Sequence, residues 1–404
     1  MLVFFFIVIA VFGAAYGYIG WRIIIPANFP APWSWIAWVV PAILVLLPFV
    51  QMFYRSSKST GPWLDFLSWV GYVSMGFFSF VLVLVLLRDL GWLATIGGAK
   101  IVSWVSDAFG NGPINVFNPG RRTFLLETTN LSILGLSVGI TGYGILQARR
   151  TPSIVNIEIP IKGLAEVFNG FRIVQISDIH AGLTIGREWV EMVAEKVNEL
   201  GADLIAFTGD LVDGSVENLR NDVAPVADLK AKFGVYFVTG NHEYYSGAAA
   251  WVEEIKRMGL DVLMNEHRVI PLNGSQMVLA GVPDHSGGQF IKQHASDPER
   301  TLAEAPNGSL RVFLAHQPKS LYQAAKSGFD LMLSGHTHGG QFFPWNFAAA
   351  VGQPYIAGLH KREVGSGEGW VYVSRGTGYW GPPIRVGARS EITVLTLKPA
   401  QGVQ

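Results

Sequence analysis

Charge is segregated along this chain. Of its 60 charged residues, residues 1–150 hold 13, nine basic and four acidic. The other 254 residues hold 21 basic and 26 acidic, so a formal net charge of zero is +5 in front and −5 behind. The front cannot present the solvated polar surface of an ordinary globular domain. Four apolar runs lie in it, Leu2–Gly20, Trp35–Tyr54, Phe66–Leu87 and Phe124–Leu146. Each has about the 20 residues that cross roughly 30 Å of hydrocarbon as a helix. Residues 1–150 are therefore expected to be an α-helical membrane region of about four spans, and residues 151–404 a separate domain.

Details of the front half follow from its flanks. Trp21, Trp33, Trp35 and Trp38 cluster where interface aromatics are expected. Leu2–Tyr18 lacks a basic leader and precedes further apolar runs, which favours a retained helix over a cleaved signal. Trp92–Phe109 carries Lys100 and Asp107 and reads as an interfacial helix in preference to a span. Gly135-x-x-x-Gly139 admits close approach of another helix or simply tolerates lipid. Glu127 is the one charge expected inside a span, which gives little support to a conduction path. With the N-terminus outside, the inner loops carry Arg22, Arg88, Lys100, Arg121 and Arg122, and the outer ones Arg55, Lys58, Arg149 and Arg150. That balance leans only slightly. Arg121-Arg122-Thr123-Phe124-Leu125 reads as a twin-arginine export signal or as an arginine pair at a membrane edge. The export reading, with no cleavage site after Leu146, makes a multi-pass protein whose domain is tethered outside the cytoplasm.

The back half reads as α/β. Apolar runs at Phe171–Ser177, Asp203–Thr208, Val235–Thr239, Gln276–Ala280, Arg311–Ala315, Leu331–Ser334, Gly369–Ser374 and Glu391–Leu397 predict strands. Arg187–Leu200 and Trp251–Met258 predict helices, each stopped by a glycine. Early β-α alternation and a late β-rich stretch suggest two packed sheets with helices outside. The acidic balance argues against a nucleic-acid partner, which calls for a clustered basic face. No cysteine is present, which removes disulfides, thiolate metal sites and thiol nucleophiles.

Polar residues of one kind follow these strands: Asp178 and His180, Gly209-Asp210, Gly240-Asn241-His242-Glu243, His316, and Gly335-His336-Thr337-His338. Strand C-termini are where open α/β sheets place their sites. A lone Asp there is usually a cap, and a lone His a satisfied core residue. Seven carboxylate, amide and imidazole groups together fit a pair of divalent ions, which repel at about 3.5–4 Å unless a carboxylate such as Asp210 bridges them. The mixed nitrogen and oxygen set suits Mn, Fe or Zn better than Mg. His242 follows a ligand in sequence and stands where a general acid would serve a leaving oxygen. Asp213 and Gln341 are candidate orienting groups or loop caps. Tyr244, Tyr379 and Trp380 are candidates to line a cleft, though aromatics more often fill cores. His267, His285, His294 and His360 fit no pattern and read as loop or surface residues.

In order and spacing, this run resembles the calcineurin-like metallophosphoesterases over roughly residues 155–400. The resemblance implies a four-layer αββα sandwich. One metal would take Asp178, His180, Asp210 and His338, and the other Asp210, Asn241, His316 and His336, with His242 assisting the leaving group. Ser334–Gln341 and Gly376-Thr-Gly-Tyr-Trp-Gly-Pro-Pro383 are similar to the bacterial membrane-attached, phosphodiesterase-like branch. The expected activity is hydrolysis of a phosphodiester or pyrophosphate of lipid or envelope origin. The alternative is a silent regulatory or transport-associated membrane protein that keeps the fold; the intact ligand set counts against it.

Overall fold

A computed structural model describes residues 2–49, 61–110, 119–365 and 367–400. It divides into two compact units, residues 1–51 with 66–144, and residues 52–65 with 145–404.

The first unit is helical: α1 (Leu2–Ile23), α2 (Trp33–Leu46), α3 (Pro62–Ala108) and α4 (Pro119–Ala148). Two stretches, Trp63–Ala108 and Arg122–Ala148, are long and apolar enough to cross a membrane. The expected break between Leu87 and Trp92 does not occur. Arg88-Asp89-Leu90-Gly91 contains no proline, one glycine costs only about 1 kcal/mol in a helix, and α3 runs on through it for 47 residues, about 70 Å. Trp92–Phe109 is therefore mostly a continuation of that helix and not a separate element. Arg55, Lys58 and the end of the second apolar run lie outside the described residues.

Ile19, Val81, Val85 and Ile133 pack α1, α3 and α4 together. The half-buried charge paired between these helices was not the one expected. Glu127 is exposed. Asp89, inside α3, instead takes Arg22 at 2.6 Å and Arg88 at 2.9 Å, and accepts from the Tyr18 hydroxyl. Arg88 also reaches the Asn130 amide oxygen, while the Asn130 amide donates to the Arg22 carbonyl at 3.2 Å. Among the described residues nothing lies within 4 Å of a Cβ placed on Gly135 or Gly139, so no close helix crossing uses them.

Among the described residues, the second unit holds twelve strands in two six-stranded sheets. The first has the order β1-β12-β2-β3-β4-β5, from β1 (Ser153–Ile161), β12 (Glu391–Pro399), β2 (Arg172–Ile176), β3 (Leu204–Phe207), β4 (Val235–Phe237) and β5 (Asp261–Val262). The second has the order β10-β11-β9-β8-β7-β6, from β10 (Gly358–Val364), β11 (Gly367–Val373), β9 (Leu331–Ser334), β8 (Leu310–Leu314), β7 (Ser275–Gly281) and β6 (Glu266–Leu272). Neighbours β2 to β5 are parallel, as are β7, β8, β9 and β11. Strands buried on both faces need side chains that are apolar throughout, and Leu204-Ile-Ala-Phe207 is entirely buried.

Alternation along each strand feeds two cores. Ile173, Leu204 and Leu395 of the first sheet meet Leu279, Val312 and Leu333 of the second. On the other face of the first sheet, Val174, Ile205 and Phe237 pack under α5 (Arg187–Glu199), α6 (Val216–Val223) and α8 (Ala248–Arg257), α7 being Asn241–Ser246. On the far face of the second, Val278, Phe313 and Met332 pack with Leu302 of α9 (Pro298–Leu302) and Leu321 of α10 (Leu321–Ser327). The parallel strands of both sheets thus end side by side, and their following loops share one edge.

Candidate metal centre

The loops after β2, β3, β4, β8 and β9 carry the predicted ligands, and they meet. Backbone bonds join them: Asp178 N–H donates to Gly209 O at 2.9 Å, and Gly335 N–H to His316 O at 2.9 Å. The Gln175 amide spans the two sheets, donating to Thr208 Oγ1 and to the Ser334 carbonyl, both at 2.9 Å. The turns are unusually sharp. Among the described residues nine non-glycines have positive φ, and five are candidate ligands: Asp178, His180, Asp210, His336 and His338, with φ from 52° to 72°. Each such conformation costs of order 1–3 kcal/mol and persists only where the surroundings impose it. Glycine is required where loops touch. A Cβ on Gly240 would lie 2.1 Å from Asp210 Oδ1, and one on Gly335 2.2 Å from Asp178 Oδ2.

Among the described residues the side chains converge in three overlapping groups that could hold metal ions: Asp178, His180 and His338; His180, Asp210 and His242; and Asp210, His316 and His336. His180 and His338 bring their Nε2 atoms to 3.0 Å. His316 Nε2 lies 3.0 Å from Asp210 Oδ2 and 3.2 Å from His336 Nδ1 and Asn241 Oδ1. Asp210 Oδ2 is also 3.8 Å from His180 Nε2, so this one carboxylate faces both the His180 and the His316 sides. His316 Nδ1 donates to the Thr208 carbonyl at 2.7 Å, which turns Nε2 toward Asp210 and Asn241. The His336 backbone N–H donates to both Asp178 oxygens, at 2.9 and 3.0 Å.

Electrostatics fit a cation. Burial opposes charge at every one of these groups, yet Asp210 is held well below the usual carboxylate range by His316 and then His242. His316 goes the other way: burial lowers it, but Asp210 and Asp178 raise it well above the usual imidazole value. His336 is pushed down to about 3 by burial and the charge of His316, and His338 well down by burial, His180 and Arg385. Protons on some rings and lone pairs on others stand in for metal charge here; ligands deprotonate when a metal binds.

His242 stands beside this set. Its N–H donates to Asp210 Oδ1 at 2.8 Å, and its ring meets the His180 ring edge-on at 4.6 Å between centroids. Asp213 contacts His242 Nδ1 and lies 3.3 Å from His180 Nδ1. Burial would raise the Asp213 carboxyl, but His242 and His180 hold it well below its usual range. Asp213 therefore orients the His242 ring and faces His180.

Residues 171–340 match the calcineurin-like phosphoesterase family. The chain is 34% identical over 287 residues to an uncharacterized metallophosphoesterase of Helicobacter pylori, covering 70% of this chain and 74% of that one. It is 31% identical over 288 residues to another from Bacillus subtilis, covering 69% of this chain and 97% of that one. This chain belongs to the calcineurin-like phosphoesterases. These are metal-dependent hydrolases of phosphoric esters. A transmembrane protein with metallophosphoesterase domain from Danio rerio is 39% identical over 265 residues, which is 64% of this chain but only 60% of that protein's length.

Around this centre the outer groups differ from expectation. Tyr244 is buried, its hydroxyl 3.0 Å from His294 Nδ1, so it faces away from the site. Helical phase puts the next residue, Tyr245, against the His242 ring at 5.1 Å instead. Tyr379 is core, its hydroxyl donating to Thr184 O at 2.8 Å. Trp380 is half exposed, its ring 5.5 Å from His242. Gln341 holds it there: its amide donates to the Trp380 and Pro382 carbonyls at 3.0 Å, and its oxygen accepts from Trp380 N–H at 2.9 Å.

Two functional residues went unassigned in the sequence. Glu243 is fully buried and accepts from the N–H groups of Gly240 (2.6 Å), Leu211 (2.8 Å) and Asp210 (3.0 Å). Burial and then the charge of Asp210 push its carboxyl up to about 7. Its signal was present, since a Glu three residues past an N-cap reaches back to it. Arg385 is buried with carbonyls for partners, among them Gly378 O at 2.6 Å and Ala388 O at 2.9 Å, and its Nη2 lies 3.1 Å from His338 Nδ1. Burial lowers it to about 10, still charged at neutral pH. Nothing in the local sequence marks it.

Proposed function

We propose that residues 151–404 hydrolyse a phosphodiester or pyrophosphate with two divalent ions, Mn, Fe or Zn, bridged by Asp210. The observation that carries this reading is the Asp210 carboxylate set between the His180 and His316 sides of the cluster. The donor set fits: neutral imidazoles, an amide oxygen and carboxylates suit borderline cations. Asp178, His180 and His338 would hold one ion and Asn241, His316 and His336 the other. When bound, the pair polarises phosphoryl oxygens and acidifies a water. Asp213 holds His242 Nδ1, so His242 Nε2 is left to give a proton to the leaving oxygen. Trp380 and Tyr245 flank that ring and shield the transfer from bulk water. The intact set of carboxylate and imidazole donors supports this over a silent protein.

The substrate proposed is a phosphoester of lipid or envelope origin, delivered by a multi-pass membrane region to a domain outside the cytoplasm. Elemental analysis of Mn- or Zn-loaded full-length protein should give two ions per chain, and a panel of phosphate esters should show diester turnover. One ion or none at saturation sinks the binuclear reading. Protease added to spheroplasts should cut beyond Thr151, and Arg121→Lys with Arg122→Lys should abolish that cutting; full protection of the wild type places the domain inside.

A further inference from the structure

The second unit averages one charged residue in about every five, yet from Gly339 to Leu359 there is none. This stretch begins immediately after His338. It contains Phe342, Phe343, Trp345 and Phe347, and a helix, α11 (Trp345–Gly352), in which no residue is buried. Phe343 and Trp345 are each 44% exposed, Phe347 62% and Val351 90%. Rings of Phe343 and Phe347 touch edge-on at 5.8 Å, so part of this surface is one patch.

The patch is fixed to the metal centre. A Cβ on Gly340 would lie 2.1 Å from Asn346 Cα, so the start of α11 is pressed against the loop that carries His338. From the same loop Gln341 grips Trp380, whose ring lies beside His242. Exposed aromatics continue around that ring through Tyr245, 46% exposed, to Phe290, 51% exposed and 5.6 Å from Tyr245. An apolar rim of this kind is more than scattered surface hydrophobics, which need no explanation.

We infer that the exposed face of residues 343–352 inserts into the lipid interface and sets the rim of the metal centre on the bilayer, so that the phosphoester is taken from the lipid phase. Several features select lipid as the occupant. Trp and Phe without charge are the composition that partitions to the acyl–headgroup boundary. Trp63–Ala108 and Arg122–Ala148 are also long and apolar enough to cross a bilayer, and only Arg149–Pro152 separate the second from β1 in the chain. The choice of lipid substrate rests on the phosphoesterase reading above; insertion itself does not.

The chain has no cysteine, so a single introduced thiol reports one site. Full-length Val351→Cys carrying a nitroxide is reconstituted in phosphatidylethanolamine–phosphatidylglycerol vesicles, with Tyr322→Cys, 67% exposed on α10, as the reference. Expected is a higher collision rate with oxygen than with a water-soluble nickel chelate at 351, and the reverse at 322. Equal aqueous access at both sites overturns the proposal. Shielding from both reagents with dipolar coupling between copies also overturns it, in favour of a second chain on the patch. Trp345→Asp with Phe347→Asp should lower turnover of a bilayer-embedded phosphodiester by roughly tenfold or more while leaving a soluble nitrophenyl diester unaffected. Equal loss on both substrates overturns the lipid-phase route. Insertion without turnover of any ester leaves the patch standing and removes the phosphoesterase reading.

Discussion

Glu243→Gln isolates what a buried carboxylate does without touching a metal ligand. Its two oxygens accept three backbone N–H groups, from Gly240, Asp210 and Leu211, at 2.6 to 3.0 Å. Glutamine has one acceptor. Its best placement keeps the Gly240 and Asp210 bonds and turns an NH₂ toward the Leu211 N–H, donor against donor, in a place with no solvent. One unsatisfied buried group costs about 1–3 kcal/mol, and the two surviving bonds lose their charge assistance, which roughly halves them. The bond lost holds the backbone of Leu211, next in the chain to Asp210, so part of this cost falls on the metal-bound state. The expected result is about 10- to 100-fold weaker apparent metal affinity, the range for groups that orient ligands. It should appear with near-normal turnover at saturating Mn. The assay is hydrolysis of a nitrophenyl diester by full-length protein titrated with Mn or Zn, with exposed Glu253→Gln as control. Unchanged metal demand in Glu243→Gln would refute the argument that this carboxylate organises the centre.

His242→Ala should retain both ions by elemental analysis and lose roughly 10²–10⁴ in turnover. The loss should shrink for nitrophenolate leaving groups, and an emptied site would show that His242 is itself needed for metal. Asp210→Ala should lose the ions and the activity together, measured in the same two assays. Gly335→Ala places a methyl 2.1 Å from Ser177 Oγ and 2.2 Å from Asp178 Oδ2; it should destabilise the domain by about 1–3 kcal/mol in denaturant titration and abolish metal binding. Asp89→Ala leaves Arg22 and Arg88 without their shared carboxylate in a half-buried site, so unfolding of the full chain in detergent should become easier by about 1–3 kcal/mol. An unchanged transition would mean that water or lipid already satisfies those guanidinium groups.

Residue order alone determined the type of site and most of the frame. All eight strands read from apolar runs exist, and they are the interior strands of the two sheets, β12, β2, β3, β4 and β11, β9, β8, β7. Burial on both faces forces such strands to be apolar and therefore visible. The four strands that were missed, β1, β5, β6 and β10, are the sheet edges. Edge strands meet solvent, so β10 can carry Lys361, Arg362 and Glu363, and β1 can carry Pro160, whose missing N–H costs nothing there.

The candidate ligands were legible for a related reason: several cation-binding side chains follow strand ends, where chain direction alone sends them to one edge. Their supports were not. Arg385 reaches the back of His338 from 47 residues away, and a lone arginine carries no mark of its partners. Tyr244 and Tyr245 are equivalent as residues; only the phase of α7 against the sheet decides which one meets His242. Asp89 looked like the edge of a span because charge is expected to end one. It lies within a continuous helix because Arg22, Arg88 and Asn130 arrive from α1, α3 itself and α4 to share its burial. Periodicity and residue type report what a segment must bury or bind. Which partner meets it is settled by distances across the fold, and those exist only once the chain has closed on itself.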